Sequence, residues 1–489
     1  MSYPVIYVPG IGQSNIELLD KKNEVVKRAW PVNFETKDIM KLVKAPLMKM
    51  LLLRRDAGFS DALEDIAEEW AFALRLDSNG KAVENLRLIK YEKSYAECEE
   101  NEKNYINKMV RVDDIVDAVG AENIFYFSYN SFGNLFDAAD DLDEFIAFVL
   151  NKTGAERVNL ISISLGGVVT NAYLYRYGEK NLIHRVVNLV AGLDGSVVIS
   201  DLLSNNLDMS NVNSVLSLIG GGSFEDIKPM LGILPAGIID TCIEKIYDKL
   251  MDLVALKSTV MLGSVPADKY DIVAEKVFAD GALPEIKKQA DEFMTLHKNR
   301  DEIYRRLEEN GTEIYALCGY GIEFLKILGS ANKNGDGMAH VESASMGATA
   351  ADINSQLDSF NEKYVSPDKS IDASTCFNPD RVWFFKNQKH GGIKFNDVAL
   401  DIVGKLVSDD TFNSVNSDEN YPQFNNARSA GRVKKYIEKA EEKLNGYCEN
   451  SDELEKAVHD AEKFLENTIV PECGDAVVIA KLKGALGEK

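Results

Sequence analysis

Six short, largely apolar runs restrict the folds open to this chain: residues 5–8, 124–128, 158–163, 186–190, 314–317 and 382–385. Brief β-branched runs of this kind are what strands require when both faces of their sheet are covered. Helical patterns separate several of them. In NLFDAADDLDEFIAFVLNKTG, apolar residues recur three and four apart before a glycine stop. This alternation predicts an α/β fold built on a doubly wound, mostly parallel sheet.

Two long stretches interrupt the alternation, at about 30–114 and 201–310. Both are largely helical in pattern, and insertions of that size between sheet elements are expected to cap one edge of the sheet. The second holds apolar segments at 216–219 and 230–234 around Gly220, Gly221 and Gly222, the composition of an acyl-chain pocket or lid. The main domain is therefore expected to span 1–407, with a polar, linker-like segment at 408–430. Beyond it, Val433, Ile437, Ala440 and Leu444 form one helical stripe, and Leu454, Val458, Ala461 and Leu465 a second, which predicts a helical hairpin over 431–489.

The chain has 489 residues and a formal net charge of −23, which argues against nucleic acid and against anionic lipid surfaces as partners. Its six cysteines are scattered without a CxxC pair, as expected of reduced thiols. The start, MSYPVIYVPG, has no basic leader, so a cytoplasmic location is expected. No window reaches the roughly 18 apolar residues of a spanning helix. The nearest approach, PLMKMLLLRR at 46–55, is short and interrupted by charge.

The chemistry concentrates where the run 158–163 stops at Ser164-Leu165-Gly166-Gly167 and a helical pattern begins at once. A nucleophile elbow reads G-x-S-x-G, because the serine sits on a strained strand-to-helix turn whose neighbours two positions away must be small. Here the pattern is Ser162-Ile163-Ser164-Leu165-Gly166, with serine in the first glycine position. Ser164 is the candidate nucleophile, and Ser162 the poorer one because it still belongs to the strand. The backbone N–H groups of Leu165 and of Ile11, in the loop PGIG after the first strand, are the candidate oxyanion donors, with Gly12 as the alternative to Ile11.

Five histidines are available: His184, His297, His340, His390 and His459. A base is expected late in the chain, after the last strand, which selects His390 and leaves His340 as competitor. His184, His297 and His459 read as structural or surface residues. For the acid, Asp336 in NGDGMAH follows the fifth run, and Asp194 in AGLDGS follows the fourth and is its rival. The segment from Asn332 imitates the start of a calcium loop, but its twelfth position is Ser343 rather than glutamate. Neither metal nor cofactor is implied.

Taken together, PVIYVPGIG, ISISLGGVVTNAYLYRY, GDGMAHVESAS and KHGGI resemble the lecithin:cholesterol acyltransferase-like branch of the α/β-hydrolases, which includes lysosomal phospholipase and many bacterial lipases. The resemblance covers roughly 1–30, 115–200 and 311–405. It implies an oxyanion hole at Ile11, a nucleophile at Ser164, an acid at Asp336 and a base at His390. Met338 and Ser162 depart from the family pattern. The expected function is a serine esterase or lipase acting on small-molecule acyl esters or lipids through an acyl-enzyme. An acyltransferase and a non-catalytic binding protein on the same fold are the alternatives.

Overall fold

The computed structural model describes residues 3–31, 36–208, 236–426, 430–444, 451–466 and 476–487. Its centre is a seven-stranded sheet: β1 (Val5–Val8), β2 (Ile124–Tyr126), β3 (Val158–Ile163), β4 (Ile183–Leu189), β5 (Glu313–Tyr320), β6 (Val382–Lys386) and β7 (Phe424–Asn426). The strands lie in the order β7-β6-β5-β4-β3-β1-β2, and every pairing is parallel.

Alternation along each strand feeds two core layers. In β1, Ile6 and Val8 enter one layer, and Val5 and Tyr7 the other. The first layer is closed by helices α1 (Leu135–Thr153) and α2 (Gly166–Tyr177), the second by Asp113–Val119 and Asp397–Ser408. Local signals set these helices in place. The Asn134 side chain accepts from the N–H groups of Phe136 and Asp137 at the start of α1, a cap worth about 1 kcal/mol. Gly154, at φ 70°, ends that helix in the left-handed conformation glycine favours.

The predicted doubly wound parallel sheet is present, with six strands at or within a few residues of the runs above. The seventh, β7, falls inside the segment that composition marks as a linker. It is an edge strand, so only one side needs a partner, and Asn425 and Asn426 are tolerated there. Phe424 anchors it by stacking on Phe384 at 5.2 Å between ring centroids.

A separate three-stranded antiparallel sheet joins Ile16–Leu19 and Val25–Trp30, which precede the first insertion, to Leu86–Leu88 inside it. Its strand 25–30 is largely exposed and charged, and so lacks the apolar run that marks a buried strand. The two insertions pack on each other: helix Ala236–Leu253 lies along helix Phe59–Ala71, where Lys249 is 3.1 Å from both Glu64 and Glu68. The segments at 216–219 and 230–234 and the three glycines between them lie outside the described residues.

At the carboxy end, helices Ala430–Leu444 and Ser451–Glu466 carry the two predicted stripes, but a third helix, Ala476–Leu486, joins them. Two amphipathic helices leave an apolar edge open, and Ile479, Leu482 and Ala485 close it into a small core of its own. The hairpin is thus a three-helix cluster. No helix among the described residues is long and apolar enough to cross a membrane.

Candidate active site

Four loops at the carboxyl ends of β1, β3, β5 and β6 meet above the sheet, the edge where open parallel sheets place their ligands. Ser164 closes β3 with φ 54°, a left-handed conformation that costs a non-glycine residue about 1–3 kcal/mol. Backbone bonds hold it there: its N–H donates to the Leu189 carbonyl at 3.1 Å, and its carbonyl accepts from the Gly167 N–H at 3.0 Å.

The small residues around Ser164 have identifiable causes. A Cβ on Gly166 would lie 2.1 Å from the Val8 carbonyl oxygen, so α2 reaches β1 only because this position is glycine. Replacing Gly166 with Ala is expected to destabilise the fold by at least the upper part of the roughly 1–3 kcal/mol typical of overpacking, read as a lower denaturant midpoint. Ser162, in the family's first glycine position, is fully buried, and its Oγ lies 2.6 Å from Thr170 Oγ1. Its hydroxyl is therefore satisfied beneath the elbow and does not crowd it.

His390 Nε2 is 2.8 Å from Ser164 Oγ, and His390 Nδ1 is 2.7 Å from Asp336 Oδ2. The carboxylate is fixed in turn. Its Oδ1 accepts from the N–H groups of Met338 at 2.9 Å and Ala339 at 2.7 Å, while the Asp336 carbonyl accepts from the His390 N–H at 3.0 Å. Asp336 can approach β5 because Gly319 lacks a Cβ, which would lie 2.8 Å from the Asp336 Cβ. Burial opposes the charged imidazolium, but the charge and hydrogen bond of Asp336 outweigh it and hold the His390 pKa above its ordinary value.

The loop after β1 lies against the serine, since a Cβ on Gly10 would sit 3.0 Å from Ser164 Cβ. The Gly10 N–H is taken by Gln13 Oε1 at 2.6 Å, and Gln13 Nε2 donates to the Met109 carbonyl at 3.0 Å. Tyr129 braces the same loop by donating from its hydroxyl to the Pro9 carbonyl at 2.8 Å. Among the described residues, the N–H groups of Ile11 and Leu165 have no hydrogen-bond partner. The sequence motifs do not point to Gln13 or Tyr129 as supports, although a polar Gln13 directly after PGIG is a signal for the first.

The competing residues are placed elsewhere. Asp194 binds His297 rather than His390: its Oδ1 is 2.7 Å from His297 Nε2, and His297 Nδ1 is 2.8 Å from the Tyr175 hydroxyl. His297 is buried and stacks on Phe293, tying the second insertion to α2. His297→Leu is expected to cost about 1–3 kcal/mol in denaturant unfolding by leaving the Tyr175 hydroxyl unpaired and removing the imidazole partner of Asp194, while Ser164 keeps its reactivity.

His340 is buried at the start of helix Val341–Ala344, its Nδ1 without a hydrogen-bond partner. Burial holds its pKa below the ordinary value. His184 packs its ring against Tyr3 near the opposite ends of the strands, and His459 is exposed on a carboxy-terminal helix. Ser343 closes a structural bond network, donating to the Gly195 carbonyl and accepting from the Asp194 N–H. Among the described residues, no group of three or more His, Cys, Asp or Glu side chains is placed to hold a metal ion.

No family model matches the chain, and no curated protein matches it. Solved structures do. One is the Tle4–Tli4 complex, at 13% identity, covering 65% of this chain and 75% of that chain with a TM-score of 0.25. Another is a lipase-esterase related protein from Clostridium acetobutylicum, at 15% identity, covering 38% of this chain and 87% of that chain with a TM-score of 0.17. Both likenesses are too remote to carry function across.

Proposed function

We propose that this protein is a serine esterase or lipase that cleaves lipid-like carboxylic esters through an acyl-enzyme. The observation that carries this reading is the continuous hydrogen-bonded chain from Ser164 Oγ through His390 to Asp336, on a serine held at positive φ. Such strain in a non-glycine residue is retained where a side chain must be presented.

In this mechanism His390 Nε2 takes the proton as Ser164 Oγ attacks the ester carbonyl, and Asp336 holds the other ring N–H and stabilises the imidazolium. The tetrahedral oxyanion lies between the N–H groups of Ile11 and Leu165; loss of one such donor typically costs about 10²–10³-fold in rate. His390 then gives its proton to the leaving alcohol. Water, activated by the same imidazole, attacks the acyl-enzyme and frees the acid. The exposed apolar side chains of Ile11 and Met338 beside the site favour an apolar substrate.

A panel of p-nitrophenyl esters and glycerolipids, assayed for free acid with Ser164→Ala as blank, tests the reading. Release of acid by the wild type alone supports hydrolysis, whereas diversion of the acyl group to an added alcohol would favour acyl transfer. Equal release by both proteins would defeat the assignment.

A further inference from the structure

The densest set of exposed large apolar side chains among the described residues lies on one helix, Thr36–Leu53. Its Val43, Leu47 and Met50 are buried, spaced as one helical stripe. Leu42, Met48, Leu51, Leu52 and Leu53 remain exposed, Leu52 at 83%. The same stretch opposes the charge of the rest of the chain. Residues 36–55 hold six basic residues and one aspartate, in a protein whose net charge is −23. Lys44, Lys49, Arg54 and Arg55 are exposed, and none pairs with a carboxylate among the described residues.

We propose that helix Thr36–Leu53, with Arg54 and Arg55, is an interfacial anchor that seats this protein on an anionic lipid surface. Apolar side chains interleaved with lysines and arginines suit the boundary between headgroup and acyl chain, where long cationic side chains reach phosphates while leucines enter the apolar layer. The acidity of the whole chain does not forbid this. Exposed charges more than about 8 Å apart are largely screened at physiological ionic strength, so the local cations govern contact.

A second copy of the chain fits the patch less well. A two-fold interface sets the same surface against itself, and here that would oppose cations to cations. The helix follows the strand Val25–Trp30 in the chain. It begins shortly after Trp30, whose ring packs on Trp70 at 5.3 Å and lies 3.6 Å from where a Cβ on Gly12 would sit.

The test uses the full chain with Ser164→Ala, so that binding is read without lipid turnover and independently of the ester chemistry. Co-sedimentation with phosphatidylcholine vesicles is compared with vesicles that also contain phosphatidylglycerol. Binding to the anionic vesicles is expected to be at least about tenfold tighter and to weaken as salt is raised. Lys44→Glu, Lys49→Glu, Arg54→Glu and Arg55→Glu combined should reduce it to the phosphatidylcholine level, and Leu51→Ser, Leu52→Ser and Leu53→Ser should weaken it on both.

The same substitutions in the Ser164 chain should leave fluorophosphonate labelling unchanged, which reports folding; should they not fold, the salt dependence of the unsubstituted helix still decides. Equal or absent binding to the two vesicle types would overturn the proposal. So would a dimer in sedimentation velocity that the leucine substitutions dissolve, since the patch would then serve self-association.

Discussion

Replacing Ser164 with Ala is expected to lower kcat/KM for any ester the protein cleaves by about 10⁴-fold or more, with little change in stability. Loss of a nucleophile in a Ser-His-Asp arrangement typically costs that much or more, because the remaining groups act only on the attack that the serine makes. The substituted atom, Oγ, has His390 Nε2 as its hydrogen-bond partner, and the backbone bonds that hold the elbow do not involve it. The folded state therefore loses one hydrogen bond, about 1 kcal/mol, and keeps its left-handed turn. Steady-state kinetics beside a denaturant titration separate the two effects. A modest rate loss would mean that another group attacks.

Asp336→Asn is expected to lower kcat by about 10³–10⁴-fold and to move the acid limb of the pH profile downward. The amide oxygen would keep the bonds from the Met338 and Ala339 N–H groups, which turns the NH2 toward His390 Nδ1. Nδ1 must then accept, so Nε2 carries the proton and faces Ser164 as a donor rather than as a base. The pH effect has a definite sign. His390 must be neutral to take the proton, so kcat/KM rises with pH through its pKa. In the wild type Asp336 outweighs burial, and the midpoint lies above the ordinary histidine value of about 6.5. Without the carboxylate, burial acts alone and the midpoint falls below it. A profile that does not move, or moves upward, would separate Asp336 from the titrating group.

Much of this arrangement is legible in the sequence because parallel sheets order their functional loops along the chain. The apolar runs at 158–163 and 382–385 mark strands whose ends carry Ser164 and His390, and the glycines beside Ser164 and Asp336 announce close backbone approach. The two strands that escaped share a cause. The edge strand Phe424–Asn426 and the antiparallel strand Val25–Trp30 are polar or exposed, so neither carries the buried pattern that identifies a strand.

The Asp194–His297 pair was invisible for another reason. It joins residues separated by most of an insertion, and only the packing of that insertion on α2 brings them within 2.7 Å. The same limit applies to helix Thr36–Leu53. Whole-chain charge predicts repulsion from anionic surfaces, whereas the exposed lysines and leucines of this helix are a local property that appears only once burial is known.

Whether Ser164 is an activated nucleophile is read by reaction of the folded protein with a fluorophosphonate, followed by mass spectrometry of its peptides. One adduct is expected, on the peptide that contains Ser164, absent in Ser164→Ala and formed far more slowly in His390→Ala. A folded wild type that takes up no label, or takes it up on a different residue, would contradict that role.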